Sequence, residues 1–99
     1  MQIKSATELL LNKTYEEVWY RGQKYADGGR VKIVEADEKE VEAVVERTRG
    51  CVVRLKFVAN GIKLDCNCPY PKGLCKHMVA VAILWDERRG FERPTTNEI

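Results

Sequence analysis

Ninety-nine residues make one domain, with no room for a second core. An apolar fraction of 44% and a charged fraction of 32% describe a globular chain with a heavily charged surface, and 17 basic against 15 acidic residues leave a net charge of +2. That balance excludes DNA binding by bulk charge, the longest apolar run (Met78 to Trp85) is too short to cross a bilayer, and no stretch near Met1 has the form of a signal peptide.

The first helix signal is Ser5-x-x-Glu8, a capping box in which the two side chains satisfy each other's free amides, ahead of Leu9-Leu10-Leu11. A second box, Thr14-x-x-Glu17, restarts the chain after a break near Asn12-Lys13. Tyr15, Val18, Trp19, Gly22 and Tyr25/Ala26 then recur at helical spacing, and Gly28-Gly29 supplies a left-handed C-cap. From Val31 to Cys66 the period changes to two. Val31 to Ala36 reads as a strand of ambiguous face, because Val34 and Ala36 compete with Val31 and Ile33. Val41 to Arg47 reads as a second strand that buries Val41, Ala43 and Val45. A three-residue loop, Thr48-Arg49-Gly50, pairs Val45 with Val53 and Ala43 with Leu55. On the next strand Cys51, Val53, Leu55, Phe57 and Ala59 share the buried face. Asn60-Gly61 predicts a type I′ hairpin that pairs Ala59 with Ile62, Phe57 with Leu64, Leu55 with Cys66 and, on the outer face, Lys56 with Asp65. A closing helix runs from about Lys76 to Arg89, and residues 90–99 form a flexible tail containing Pro94.

Cys66, Cys68 and Cys75 crowd into ten positions, and the sole histidine, His77, lies two residues further on. Cys51 stands apart on a buried strand face and reads as an inert core thiol. Without a secretory signal, such clustering points to metal before disulfide or redox use. Cysteines one residue apart point to opposite faces of a regular strand, so the chain must turn between Cys66 and Cys68. Asn67 tolerates a left-handed conformation there, and Pro69 stops further pairing. Positions two apart on a helix diverge by roughly 200°, which puts Cys75 at or before the first turn and His77 inside it. The helix N-terminus then stabilises the thiolate. Three thiolates and one imidazole make a closed tetrahedral site, so the expectation is one structural Zn²⁺ per chain held by Cys66, Cys68, Cys75 and His77. Four protein ligands leave no position for water or substrate, and neither a second histidine nor a Gly-rich phosphate loop is present. The chain is therefore expected not to be an enzyme. The expected fold is α+β: N-terminal helices, a small antiparallel β-sheet with a hairpin, the Cys-x-Cys…Cys-x-His zinc knuckle over residues 66–77 and a closing C-terminal helix, within one domain spanning 1–89.

Cys-x-Cys, six residues and Cys-x-His before an apolar helix resembles the SWIM zinc finger. Cys66-Asn-Cys68-Pro69 and Cys75-Lys76-His77-Met-Val-Ala are similar to its two ligand segments. Upstream, Arg21-Gly22-Gln-Lys-Tyr25-Ala-Asp-Gly-Gly29-Arg-Val31 is similar to its Arg-Gly-x-x-Tyr-x-x-x-Gly-x-Val segment, so the likeness runs over about residues 20–85. The resemblance implies the same four zinc ligands and a role in binding DNA or proteins. Modules of this family accompany chromatin-remodelling-type helicases, plant Mutator-class transposases, a MAP-kinase-cascade kinase and partners of RecA-like recombinase paralogues. No helicase or transposase domain accompanies the module here, which puts ATPase and transposase activity out of reach.

Residues 51–99 hold eight basic and five acidic residues. Arg54, Lys63, Lys72, Lys76, Arg88 and Arg89, with Tyr70 to stack on bases, are the candidate surface for weak, sequence-independent DNA binding. The expected function is a non-enzymatic zinc-binding adaptor for DNA, for a DNA-repair or recombination protein, or for both. The alternative is a purely protein-binding subunit, such as a partner of a RecA-like recombinase paralogue, without DNA contact. The expected location is the cytoplasm, nucleoid-associated in a prokaryote. Trp19, Tyr20 and Tyr25 read as core residues. Met78 to Trp85 is apolar on nearly every side, which fits either burial between sheet and N-terminal helices or a stripe that meets a partner or a second copy in a homo-oligomer.

Overall fold

The computed structural model describes residues 5–11, 16–46, 51–59, 61–67 and 75–91. Two helices, α1 (Ala6–Leu11) and α2 (Glu16–Asp27), precede four strands, β1 (Val31–Ala36), β2 (Glu40–Val45), β3 (Cys51–Val58) and β4 (Gly61–Cys66), and α3 (Lys76–Arg88) follows. The strands pair antiparallel in chain order. The α+β architecture is the expected one. Thr14 of the second capping box, the loop residues Thr48 to Gly50, Asn60 of the hairpin and the tail from residue 92 lie outside the described residues.

The faces of β2, β3 and β4 match the sequence pattern except at Ala59, which is exposed in the turn beyond β3, and two registers differ from it by two residues. Val45 faces Cys51 and Ala43 faces Val53, so residues 46–50 separate the strands instead of three residues. Val58 faces Gly61, Phe57 faces Ile62, Leu55 faces Leu64 and Val53 faces Cys66, so the hairpin closes over residues 59–60 and not over Asn60-Gly61. A slide of two leaves every side chain on its own face, so alternation cannot detect it. The outer face decides. The observed register sets Glu40 against Lys56 and Glu42 against Arg54, with Arg54 also opposite Asp65. The ion pairs Arg54 Nε–Glu42 Oε1 (3.6 Å) and Lys56 Nζ–Glu40 Oε2 (3.9 Å) form there. The expected alignment would have put Val44 against Arg54; the observed one puts it against Val52. Lys56 consequently meets Lys63 and not Asp65. In β1 a bulge between Ile33 and Glu35 settles the face: Val31 and Ile33 are half-buried, while Val34 is 55% exposed.

Helix α3 lies between two layers, which explains an apolar run without a polar side. Met78, Val81, Ala82 and Trp85 pack with Val41, Ala43, Val45, Val53, Leu55 and Ile62 of the sheet and with Ala6 and Leu10 of α1. Val79, Ala80 and Ile83 pack with Trp19 and Ala26 of α2. Val79, Val81, Ile83 and Trp85 are all buried, so α3 presents no stripe to a second copy, and that reading of the run is overturned. Helix α2 buries Trp19, Gly22 and Ala26 at the expected spacing and ends at Gly29, whose φ of 72° is the left-handed cap. Tyr20, expected in the core, is 45% exposed on the opposite side. A Cβ at Gly22 would lie 2.4 Å from Val79 Cγ1 and 3.0 Å from the Lys76 carbonyl oxygen, so the bare backbone is what lets α2 approach the first turns of α3.

At the other end of α3, Asp86 reaches the start of α1. Its carboxylate accepts hydrogen bonds from the Ala6 N–H (2.8 Å), the Thr7 N–H (2.9 Å), Ser5 Oγ (2.6 Å) and Thr7 Oγ1 (2.7 Å). Six residues are too few for a helix to stand alone in water, so this long-range cap and burial of Ala6 and Leu10 hold α1 in place. Ser5 Oγ also accepts from the Glu8 N–H (3.3 Å), the expected first half of the capping box.

Candidate metal centre

Three elements bring sulfur and nitrogen donors to one corner of the core. Cys51 opens β3 on its inward face, Cys66 closes β4 on the same face, and His77 sits in the first turn of α3, 2% exposed. The Sγ atoms of Cys51 and Cys66 and a ring nitrogen of His77 all lie within 4.8 Å of one another. Cys75 is the N-cap of α3, with extended backbone (φ −108°, ψ 167°), and its Sγ lies 3.8 Å from His77 Nδ1. Cys75 thus stands before the first turn and His77 within it, as the spacing required. Cys68 lies outside the described residues.

Donors around a tetrahedral zinc, with Zn–S near 2.3 Å, stand roughly 3.5–4 Å apart, and the donors of Cys51, Cys66 and His77, all within 4.8 Å of one another, come near that spacing. His77 Nε2 is buried without a hydrogen-bond partner among the described residues. Buried polar atoms are ordinarily satisfied, and an orphaned imidazole nitrogen beside converging thiols is what a metal ligand looks like without its metal. Among the described cysteines no disulfide forms. The donor set fits a single structural zinc, which would tie β3 and β4 to the N-terminus of α3.

The register explains why Cys51 belongs to this corner. With Val53 opposite Cys66, Cys51 becomes the diagonal same-face neighbour of Cys66, within reach across the pair. In the expected register Cys66 would have faced Leu55, two residues further from Cys51. The assignment of Cys51 as an isolated core thiol is corrected accordingly: it is buried, and it is also part of the donor cluster. Asn67 departs from expectation as well. No non-glycine residue among those described has positive φ, and Asn67 instead prolongs the ladder. Its N–H donates to the Val52 carbonyl (3.3 Å) and its Oδ1 accepts from the Val52 N–H (2.9 Å).

Helix α2 supports His77 from behind. The Tyr25 ring meets the imidazole edge-on, with centroids 5.2 Å apart and planes at 83°, and Arg30 and Lys76 place their charges 5.5 Å and 5.4 Å from the Tyr25 centroid. Tyr25 is thus the residue through which α2 meets the histidine, and Gly22 is what lets α2 come close to the first turns of α3.

The proposed DNA-contacting residues do not gather into one patch. Arg54 and Lys63 lie on the outer face of the sheet, Arg54 beside Glu42. Lys76 is at the N-terminal end of α3, and Arg88 is exposed at the opposite end. The Arg89 side chain is 9% exposed, ion-paired with Asp86 and stacked 4.2 Å from the Trp85 ring centroid. Tyr70 and Lys72 lie outside the described residues.

Residues 51–86 match the family model of the SWIM zinc finger. The match takes in β3, β4, the knuckle and most of α3, and so covers Cys51 together with the four spaced ligands. Comparison with curated proteins and with solved structures gives no match. No helix among the described residues is long and apolar enough to cross a membrane.

Proposed function

We propose that a chain carrying a SWIM zinc finger over residues 51–86 works as a non-enzymatic adaptor, in which zinc organises the fold and the outer face of the sheet does the binding. The observation that carries this reading is the division of the sheet into two unlike faces. The inner face is closed by α3, whereas the outer face carries two cross-strand rows of charge, Glu40–Lys56–Lys63 and Glu42–Arg54–Asp65, flanked by exposed Val34, Val52 and Val58. A shallow groove lined in part by Glu40, Glu42, Arg54, Lys56, Lys63 and Asp65 runs across it.

Charges of both signs beside exposed valines suit a protein surface better than a phosphate backbone, since Glu40, Glu42 and Asp65 would repel a polyanion. The preferred partner is therefore a DNA-processing protein, with the cytoplasm as the setting in which the thiols stay reduced. Direct DNA contact is the second reading, carried by Lys76, a half-buried cation in the first turn of α3. A salt titration separates the two. Zinc-loaded protein is mixed with single- and double-stranded DNA at rising salt, and in parallel used to capture partners from the native organism. Capture that survives physiological salt and fails with Arg54→Glu plus Lys56→Glu supports the protein reading. A DNA complex that weakens steeply with salt and with Lys76→Glu supports the second, and hydrolysis of any captured nucleic acid would overturn the non-enzymatic assignment.

A further inference from the structure

Cys51 lies fifteen residues before Cys66 and twenty-six before His77, outside the spacing that marks the knuckle. The fold brings it back. Among the described histidine, cysteine and acidic residues, Cys51, Cys66 and His77 are the group whose donor atoms all lie within 4.8 Å of one another. Mutual proximity is a stricter condition than a pairwise contact. Cys75 does not meet it, although its Sγ lies 3.8 Å from His77 Nδ1. Donors on one tetrahedral zinc stand roughly 3.5–4 Å apart, so the trio closes around an ion with shifts of about 1 Å.

The sheet aims Cys51 at this point and holds it there. Cys51 opens β3 on the inward face at 3% exposure, and Cys66 closes β4 on the same face. With Val53 opposite Cys66, the two thiols are diagonal neighbours across an antiparallel pair. The strand ends that carry them are clamped one residue further on. Asn67 donates its N–H to the Val52 carbonyl (3.3 Å) and accepts the Val52 N–H on Oδ1 (2.9 Å), so both backbones are fixed where the thiols meet. His77 reaches the same point from α3, 2% exposed, and its Nε2 has no hydrogen-bond partner among the described residues. A buried imidazole nitrogen calls for a partner, and a metal shared with neighbouring thiolates accounts for this one.

We propose that Cys51 is a direct zinc ligand, which binds the ion together with Cys66 and His77 and leaves one position of the tetrahedron to a cysteine of the knuckle. This rests on the zinc reading of the site. Binding replaces the S–H bond of Cys51 by a Zn–S bond, and the proton leaves to solvent with no change of oxidation state. The ion then staples the first residue of β3 and the last of β4 to the first turn of α3.

The test uses the full chain. In wild-type protein loaded with a spin-active cadmium isotope in place of zinc, the β-protons of Cys51 are expected to show scalar coupling to the metal, as those of Cys66 do. Coupling at Cys66 with none at Cys51 would overturn the proposal, and this readout needs no substitution. Cys51→Val keeps the packing and removes the sulfur. After cobalt substitution it should lose one sulfur's share of the thiolate-to-cobalt charge-transfer intensity. In competition with a chelator it should bind zinc at least about tenfold more weakly, since a ligand is worth no less than the residues that merely support one. Val53→Ala is the control, because it removes packing from the same strand face and no sulfur: unfolding should become easier while the charge-transfer intensity stays that of the wild type. A Cys51→Val chain with wild-type spectrum and affinity would overturn the proposal and return Cys51 to the core. A wild-type chain that binds neither zinc nor cadmium would instead refute the zinc reading itself.

Discussion

The Asp86 carboxylate, 1% exposed, accepts two backbone amides and two hydroxyls from the start of α1 and pairs with Arg89. Its anionic charge faces the positive end of a helix, which is the favourable sense of the macrodipole. Removing it would strand several buried donors and the guanidinium of Arg89, whose side chain is only 9% exposed, at once. Asp86→Ala is therefore expected to cost about 3–5 kcal/mol, read from denaturant unfolding of the zinc-loaded protein, with Asp86→Asn less severe because the amide oxygen still accepts. Nothing in the sequence pointed here. Asp86 ends an apolar run and looks like a solvent-facing residue, and its partners are some eighty positions away. Asp37 is the contrasting, exposed case. Its Oδ1 accepts from the Glu40 N–H (2.9 Å) and the Lys39 N–H (2.7 Å) in the β1–β2 turn, and these bonds hold its carboxyl below the ordinary aspartate value of 3.8. Because the folded value is depressed, the stability it lends is present above the unfolded value and is lost as pH falls through the folded one. An NMR titration should find Asp37 with its midpoint below 3.8.

At the scale of elements, helix positions, the faces of β2 to β4 and the place of Cys75 before α3 were legible because each follows from local periodicity or capping, whereas the face of β1 depended on a bulge between Ile33 and Glu35. Registers were not, because a two-residue slide conserves the alternation that the sequence displays. The ion pairs of Arg54 with Glu42 and Lys56 with Glu40 carry the missing information, and so does the diagonal approach of Cys51 to Cys66. The spacing of cysteines along the chain could reveal only the donors that are near in sequence. Gly22 offers a prediction of unusual sign. Alanine is the better helix former by roughly 1 kcal/mol, so an exposed glycine in α2 would gain from the change. Here the added methyl would sit 2.4 Å from Val79 Cγ1 and 2.6 Å from Val79 Cβ. Both atoms belong to a buried residue that cannot swing aside. Gly22→Ala should destabilise the domain by about 1–3 kcal/mol in thermal or denaturant unfolding, despite the propensity gain. It should also speed zinc loss to a chelator, since α2 braces His77 through Tyr25.

For the molecule as a whole, α3 is the central pillar, and it is fastened by different chemistry at its two ends. The donor cluster brings its first turn to β3 and β4, where a zinc would tie them, and Asp86 ties its last turn to α1. Between them the helix is held by apolar contact on both sides, to the sheet and to α2. His77 and Asp86 are nine residues apart, which at 1.5 Å per residue places them roughly 13 Å from each other along the axis. Sites that far apart without shared partners contribute additively to stability. Removing zinc with a chelator should accordingly raise amide exchange at 51–53, 65–67 and 76–79 well before it reaches 6–11. Asp86→Asn in the zinc-loaded protein should do the reverse, releasing 6–11 while the metal corner stays protected. Combining the two should destabilise by the sum of the separate losses, within about 0.5 kcal/mol. Hydrogen exchange read by mass spectrometry on the four preparations checks all three expectations. Uniform loss of protection on chelation alone would mean that zinc holds the whole core and not one end of its central helix.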